Sequence, residues 1–133
     1  MDETLRELVR LRSGNRCEYC LIRQEHIPLT KLQVEHIVAR QHAGEDDLTN
    51  LALACDRCNL HKGPNLTGID PVSGDIVPLF HPRRDNWDDH FQWVGVEIIG
   101  LTPKGRTTVR LFQMNDPRRL RLRTTLRRLG QFD

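Results

Sequence analysis

Leu51-Ala52-Leu53-Ala54-Cys55-Asp56-Arg57-Cys58-Asn59-Leu60-His61-Lys62-Gly63-Pro64 holds three structural signals in fourteen residues. Leu51 to Ala54 is a short apolar run of strand length, and it delivers the chain to a Cys-x-x-Cys pair. Asp56 to Lys62 then reads as a helix, stopped by Gly63-Pro64, the pair expected just beyond a helix C-terminus. A strand that feeds a helix through two thiols needs two more thiols to complete a tetrahedral metal site.

Those thiols lie upstream in Cys17-Glu18-Tyr19-Cys20. Four sulfur ligands in two Cys-x-x-Cys pairs suit a closed, structural Zn²⁺ site at Cys17, Cys20, Cys55 and Cys58. Between the pairs, Leu32-Gln33-Val34-Glu35-His36-Ile37-Val38 is β-prone. A regular strand there places Leu32, Val34, His36 and Val38 on one face and Gln33, Glu35 and Ile37 on the other. Arg40 to Asn50 is polar, with Gly44 and two aspartates, and reads as a loop. Strand, long loop, strand and short helix make a ββα unit.

Composition sets the scale around this unit. With 133 residues, 38% hydrophobic and only 5% aromatic, the chain can bury a small core that a structural metal would help to stabilise. All four cysteines fall in the two pairs, and Met1-Asp2-Glu3-Thr4 is unlike a signal peptide, which favours metal over disulfides and a cytoplasmic protein. No run approaches the ~20 apolar residues of a membrane span, so no membrane partner is expected. A net charge of +2 conceals an uneven distribution. From Pro103 onward stand Lys104, Arg106, Arg110, Arg118, Arg119, Arg121, Arg123, Arg127 and Arg128, against only Asp116 and Asp133. An Arg-rich tail suits a polyanion, because the guanidinium fork matches phosphate oxygens; a solvated helix face is the plainer reading.

Further out, Asp2 to Arg12 reads as a helix with Asp2 as N-cap and Gly14 as its stop. Downstream, Ile69 to Val77 has the turn chemistry of a hairpin, and Gln92 to Ile99 reads as one strand. Thr102-Pro103 opens a helix to about Met114, and Asp116-Pro117 opens a last, Arg-rich helix that ends at Gly130. The expected fold class is α+β, with a helix and zinc-stapled core over residues 1–66 and an extension over 67–133 packed on it as one domain.

The chemistry should lie inside the zinc staple. His36 on a strand can take a proton from water near neutral pH. Glu35 joins it at one site only if the strand bends or ends there. Asn59 offers a neutral oxygen to a hard cation such as Mg²⁺ or Mn²⁺, and His61 is a weaker candidate two residues on. Lys62 and Arg57 are cations suited to phosphate. One oxygen-loving metal, an imidazole base and nearby cations are what phosphodiester hydrolysis requires. Trp87 and Trp93 read as core, and no role attaches to His81 or His90.

In this order, Cys17-x-x-Cys20, Val34-Glu35-His36-Ile37, Thr49-Asn50-Leu51 and Cys55-x-x-Cys58-Asn59-x-x-Lys62-Gly63 strongly resemble the HNH endonuclease family, in the zinc-stapled branch of the ββα-metal (His-Me finger) nucleases. The resemblance spans roughly residues 17 to 63. It implies that His36 is the general base, that Asn50 braces the loop between the strands, and that Glu35 and Asn59 ligate the catalytic metal. Glu35 stands where the family often has the shorter aspartate. Lys62 would hold a neighbouring phosphate. It implies double-stranded DNA as substrate, Mg²⁺, Mn²⁺ or Ni²⁺ as catalytic metal, and 5′-phosphate and 3′-hydroxyl products. A homodimer would help to cut both strands. The rival readings are a zinc-containing nucleic-acid-binding module without catalysis and a protein-interaction module.

Overall fold

A computed structural model describes residues 1–132. Its centre is β1 (Gln33–His36) paired antiparallel with β2 (Leu51–Ala54), followed directly by α2 (Asp56–Lys62); α1 (Glu3–Ser13) precedes them. The register sets Gln33 against Ala54 and His36 against Leu51. All four residues of β2 are buried, which is why the strand reads as an unbroken apolar run and not an alternating one. Its other edge is covered by the first Cys-x-x-Cys turn: Glu18 N–H donates to Leu53 O, and Leu53 N–H donates to the Glu18 carboxylate, both at 2.8 Å.

Local chemistry explains where α1 begins and ends. Asp2 accepts from Leu5 N–H at 2.8 Å, and Gly14 adopts a left-handed φ of 67° that turns the chain out of the helix. Two arginines on α1 then tie it to the ββ unit through backbone oxygens. Arg10 donates to Leu32 O, while Arg12 donates to Leu48 O and Leu51 O.

The extension forms β3 (Thr67–Ile69) and β4 (Ile76–Pro78), the short α3 (Trp87–His90), β5 (Phe91–Val94) and β6 (Glu97–Gly100), then α4 (Pro103–Phe112) and α5 (Pro117–Arg128). Each strand pair is its own two-stranded antiparallel sheet. One expectation fails here: Gln92 to Ile99 is not one strand but a hairpin. Gly95 takes a φ of +63° and folds β5 back onto β6 through a two-residue loop, Gly95-Val96. The helix starts follow their sequence signals, with Thr102 accepting from Gly105 N–H and Asp116 from Arg118 and Arg119 N–H.

A single hydrophobic cluster runs from Val9 through the four cysteines to Phe112 and Leu126, so the extension and the ββα unit share one core. Tyr19 packs edge-on against Phe112 and Phe80, and Phe80 against Phe91. Trp87 and Trp93 lie against this cluster, with Trp87 Nε1 donating to Tyr19 O at 2.8 Å. His81 and His90 serve local turns: His81 Nδ1 accepts from Arg83 N–H, and His90 Nδ1 meets Thr102 Oγ1. Among the described residues, no helix is long and apolar enough to cross a membrane.

Candidate active site

The four cysteines are buried and their sulfurs all lie within 4.8 Å of one another. Ligands at ~2.3 Å on a tetrahedral Zn²⁺ sit about 3.8 Å apart, and Cys20 and Cys55 Sγ are separated by 3.7 Å. The two pairs are built alike: Cys20 N–H points at Cys17 Sγ and Cys58 N–H at Cys55 Sγ. Four buried thiols cannot all ionise unaided. Burial pushes Cys17 up, while hydrogen bonds from Cys17, Cys20 and Cys58 hold Cys55 down. A dication resolves that conflict, and the donor set fits structural zinc.

Outside the sulfurs, α5 supplies two arginines that sequence reasoning assigned to a polyanion. Arg119 reaches Asp56, and its buried Nε has no nitrogen or oxygen partner. Burial alone would lower the Arg119 pKa; the adjacent Cys55 sulfur reverses that and raises it. Arg123, 2% exposed, donates to Val96 O, Met114 O and Asn115 Oδ1 and lies over the Trp93 ring at 5.2 Å. Lys104 and Arg106 are likewise committed, to Asp85 and Asp70. Much of the basic tail is therefore internal scaffolding. Arg118, Arg121, Arg127 and Arg128 remain exposed on α5.

The strand bearing Glu35 and His36 stops at His36, two residues short of the expected Val38. Gln33 and Glu35 share the face covered by α2. Gln33 accepts from the Asn59 side-chain amide, and Glu35 forms a buried ion pair with Lys62 at 3.2 Å while accepting from the Tyr19 hydroxyl. Burial raises the Glu35 pKa, and the Lys62 ammonium partly offsets it. His36 faces the other way, yet Glu35, His36 and Asn59 meet at one opening. An open cleft of about 480 Å³ is lined by Val34, Glu35, His36, Ala39, Arg40, Asn59, Leu60, Gly63 and Pro64. Ending the strand at His36 is what lets both of its faces reach the same cleft.

His36 has a partner that sequence reasoning missed. Its Nε2 lies 2.7 Å from Asp46 Oδ1, and Asp46 is itself gripped by Arg40 at 3.0 Å through both carboxylate oxygens. A carboxylate can only accept, so Nε2 carries a hydrogen, and in the neutral ring the lone pair is on Nδ1. The hydrogen bond from His36 also holds the Asp46 pKa below its usual range. The only sequence signal was an aspartate in a polar loop, ten residues beyond the histidine.

Asn50 clips that loop closed. Its Oδ1 accepts from Val38 N–H, its Nδ2 donates to Val38 O and Glu45 O, and its backbone O accepts from Ile37 N–H. Gly44 has no room for a side chain: a Cβ there would sit 1.7 Å from Val38 O and 2.9 Å from Asn50 Nδ2.

The other expected residues divide. Asn59 lines the cleft; His61, two residues on in α2, is not among the lining residues. Lys62 is 2% exposed, with Nζ on Glu35 and His36 O. Arg57 pairs with Asp116 at 2.7 Å. Both expected phosphate cations are thus paired within the fold, Lys62 buried and Arg57 partly exposed. For a catalytic metal, only Asn59 and Glu35 of the expected ligands line the cleft, and among the described residues only the cysteines bring three or more candidate ligand groups together. Asn59 and Glu35 carry oxygen donors of the kind Mg²⁺ takes, but the Glu35 carboxylate already holds Lys62 and the Tyr19 hydroxyl, so such an ion would take most of its shell from water and substrate phosphate.

Residues 17–65 match the profile of the family described as HNH endonuclease. The match covers both cysteine pairs, β1, β2 and α2. The chain is also similar to the Septu protein PtuB of Bacillus thuringiensis, 27% identical over 110 residues. That alignment takes in 81% of this chain but only 40% of the relative's length. No solved structure gives a significant match.

Proposed function

We propose that this protein is a metal-dependent endonuclease that hydrolyses phosphodiester bonds in DNA at the His36–Asn59 cleft. The observation that carries the reading is the fixed His36 ring. Asp46 holds the Nε2 hydrogen, and in the neutral ring the Nδ1 lone pair is available to a water molecule in the cleft that Asn59 and Glu35 also line. His36 takes the proton as the water oxygen bonds to phosphorus. The bond from phosphorus to the 3′ oxygen breaks, leaving a 5′-phosphate and a 3′-hydroxyl whose proton comes from solvent. A divalent metal held by Asn59 and Glu35 would stabilise charge on the scissile phosphate and the leaving oxygen. Asp46 and Asn50 act as positioning residues, the first on the ring and the second on the loop that carries Asp46.

The test is plasmid nicking by wild type and His36→Ala with Mg²⁺, Mn²⁺ or Ni²⁺ added. Wild type should cut with at least one of these, and the variant should lose ~100-fold or more, the scale of a general base. Equal cutting by both proteins removes His36 from the mechanism, and cutting without added metal removes the catalytic metal. DNA binding with no cutting by wild type would favour the non-catalytic rival.

A further inference from the structure

The active-site cleft has a neighbour. A second groove, about 620 Å³, runs between α1 and the segment leading into β1, lined by Glu3, Arg6, Arg10, Lys31, Gln33 and Val34 among others. Val34 lines both depressions, so they adjoin along β1. Gln33, in the wall of the second, also accepts the side-chain amide of Asn59 in the first. The second groove carries three cations against one acid, and those cations are available. Lys31 is exposed and has no ion pair among the described residues. Arg6 has only a surface pair to Glu3 at 3.8 Å, of the kind that contributes little. Arg10 spends one N–H on a neutral carbonyl, Leu32 O, and keeps its charge. Lys62 and Arg57, by contrast, are neutralised internally.

We infer that this groove is the path of the substrate backbone: one strand of DNA runs from the cleft at His36 along β1, with Arg6, Arg10 and Lys31 holding its phosphates. The inference rests on the nuclease reading for the location of the scissile bond. Scale supports it. Lys31 lies five residue steps before His36, a reach of at most ~18 Å, which is about five steps of a DNA strand at ~3.4 Å each. Both residues therefore fall within one contact footprint. The exposed arginines of α5, which the sequence favoured for this task, are the rival surface.

The experiment measures affinity for a 30-base-pair duplex in the His36→Ala background, with salt titration. One protein carries Arg6→Glu and Lys31→Glu; another carries Arg121→Glu and Arg128→Glu, an equal change in net charge at exposed positions. Circular dichroism and unfolding curves confirm that each is folded. The groove pair should weaken binding at least ~10-fold and flatten the log–log salt slope by about 2, near 0.9 per lost phosphate contact. The α5 pair should change affinity less than about threefold. Unchanged binding by the groove pair, a larger loss from the α5 pair, or no DNA affinity in the parent each overturns the inference. Wild-type nicking decides the nuclease reading separately: cutting with a neutral groove sinks only the path, while binding lost at the groove without cutting sinks only the catalysis.

Discussion

Replacing Lys62 by Met should cost the fold a large part of its stability. The Lys62 ammonium lies 3.2 Å from Glu35, with side chains only 3% and 5% exposed. At an effective dielectric of about 20, two unit charges at that separation attract by roughly 5 kcal/mol. Desolvation consumes much of this, so the intact pair adds little compared with an apolar pair, but a lone buried carboxylate costs about 3–5 kcal/mol. That is a sizeable share of the ~5–15 kcal/mol typical of a domain. Lys62→Met should therefore lose about 3–5 kcal/mol, and Glu35→Gln, which strands the ammonium, a similar amount. Gln keeps an acceptor for the Tyr19 hydroxyl, so the double variant should lose less than about 2 kcal/mol, for a coupling of at least ~4 kcal/mol. Urea unfolding of zinc-loaded protein at pH 7, followed by tryptophan fluorescence, measures all four corners. A coupling below ~0.5 kcal/mol would refute the buried-pair account. So would a Lys62→Met protein of normal stability but weakened DNA binding, which would return the ammonium to its expected place on a phosphate.

Three further outcomes follow from other contacts. Asp46→Ala should slow turnover at saturating DNA ~10–100-fold with little change in KM, the scale of lost outer-shell support, and Asp46→Glu should recover part of it; a change in KM alone would point to substrate binding instead. Arg119→Gln should release zinc to a chromogenic chelator about tenfold faster by removing the guanidinium beside Cys55, and an unchanged rate would leave Arg119 merely paired with Asp56. Asp70 is held well below the usual carboxylate range by Arg106, so its contribution is complete above the unfolded value near 4 and fades as pH falls toward the lower folded value. Melting temperatures between pH 2 and 5 should thus drop more steeply for wild type than for Arg106→Gln, and parallel curves would show that the pair is not linked to folding.

Much of the scaffold could be read because its signals are local. Asp2, Thr102 and Asp116 cap the helices they precede, and Gly14 and Gly63 take positive φ just beyond helix ends. The hairpin at Gln92–Ile99 reads as one strand in the sequence because a lone Gly-Val pair between Val94 and Glu97 does not reveal the left-handed φ that turns it. The Asp46 partnership was hidden for another reason: nothing in a polar loop says which of its two aspartates will fold back onto the histidine.

From sequence alone came the zinc staple, the ββα order and the short set of residues around His36, since ligand spacing and strand-to-helix succession are properties of neighbours along the chain. The fate of each charge was settled only in three dimensions. Lys62, Arg57, Arg119 and Arg123 look alike as cations in a sequence, yet each is engaged by a carboxylate, carbonyl or sulfur that folding brings to it. Arg6 and Lys31 attracted no notice and stay exposed beside the cleft. A charge is free or spent according to what desolvates and pairs it, and those partners come from distant parts of the chain.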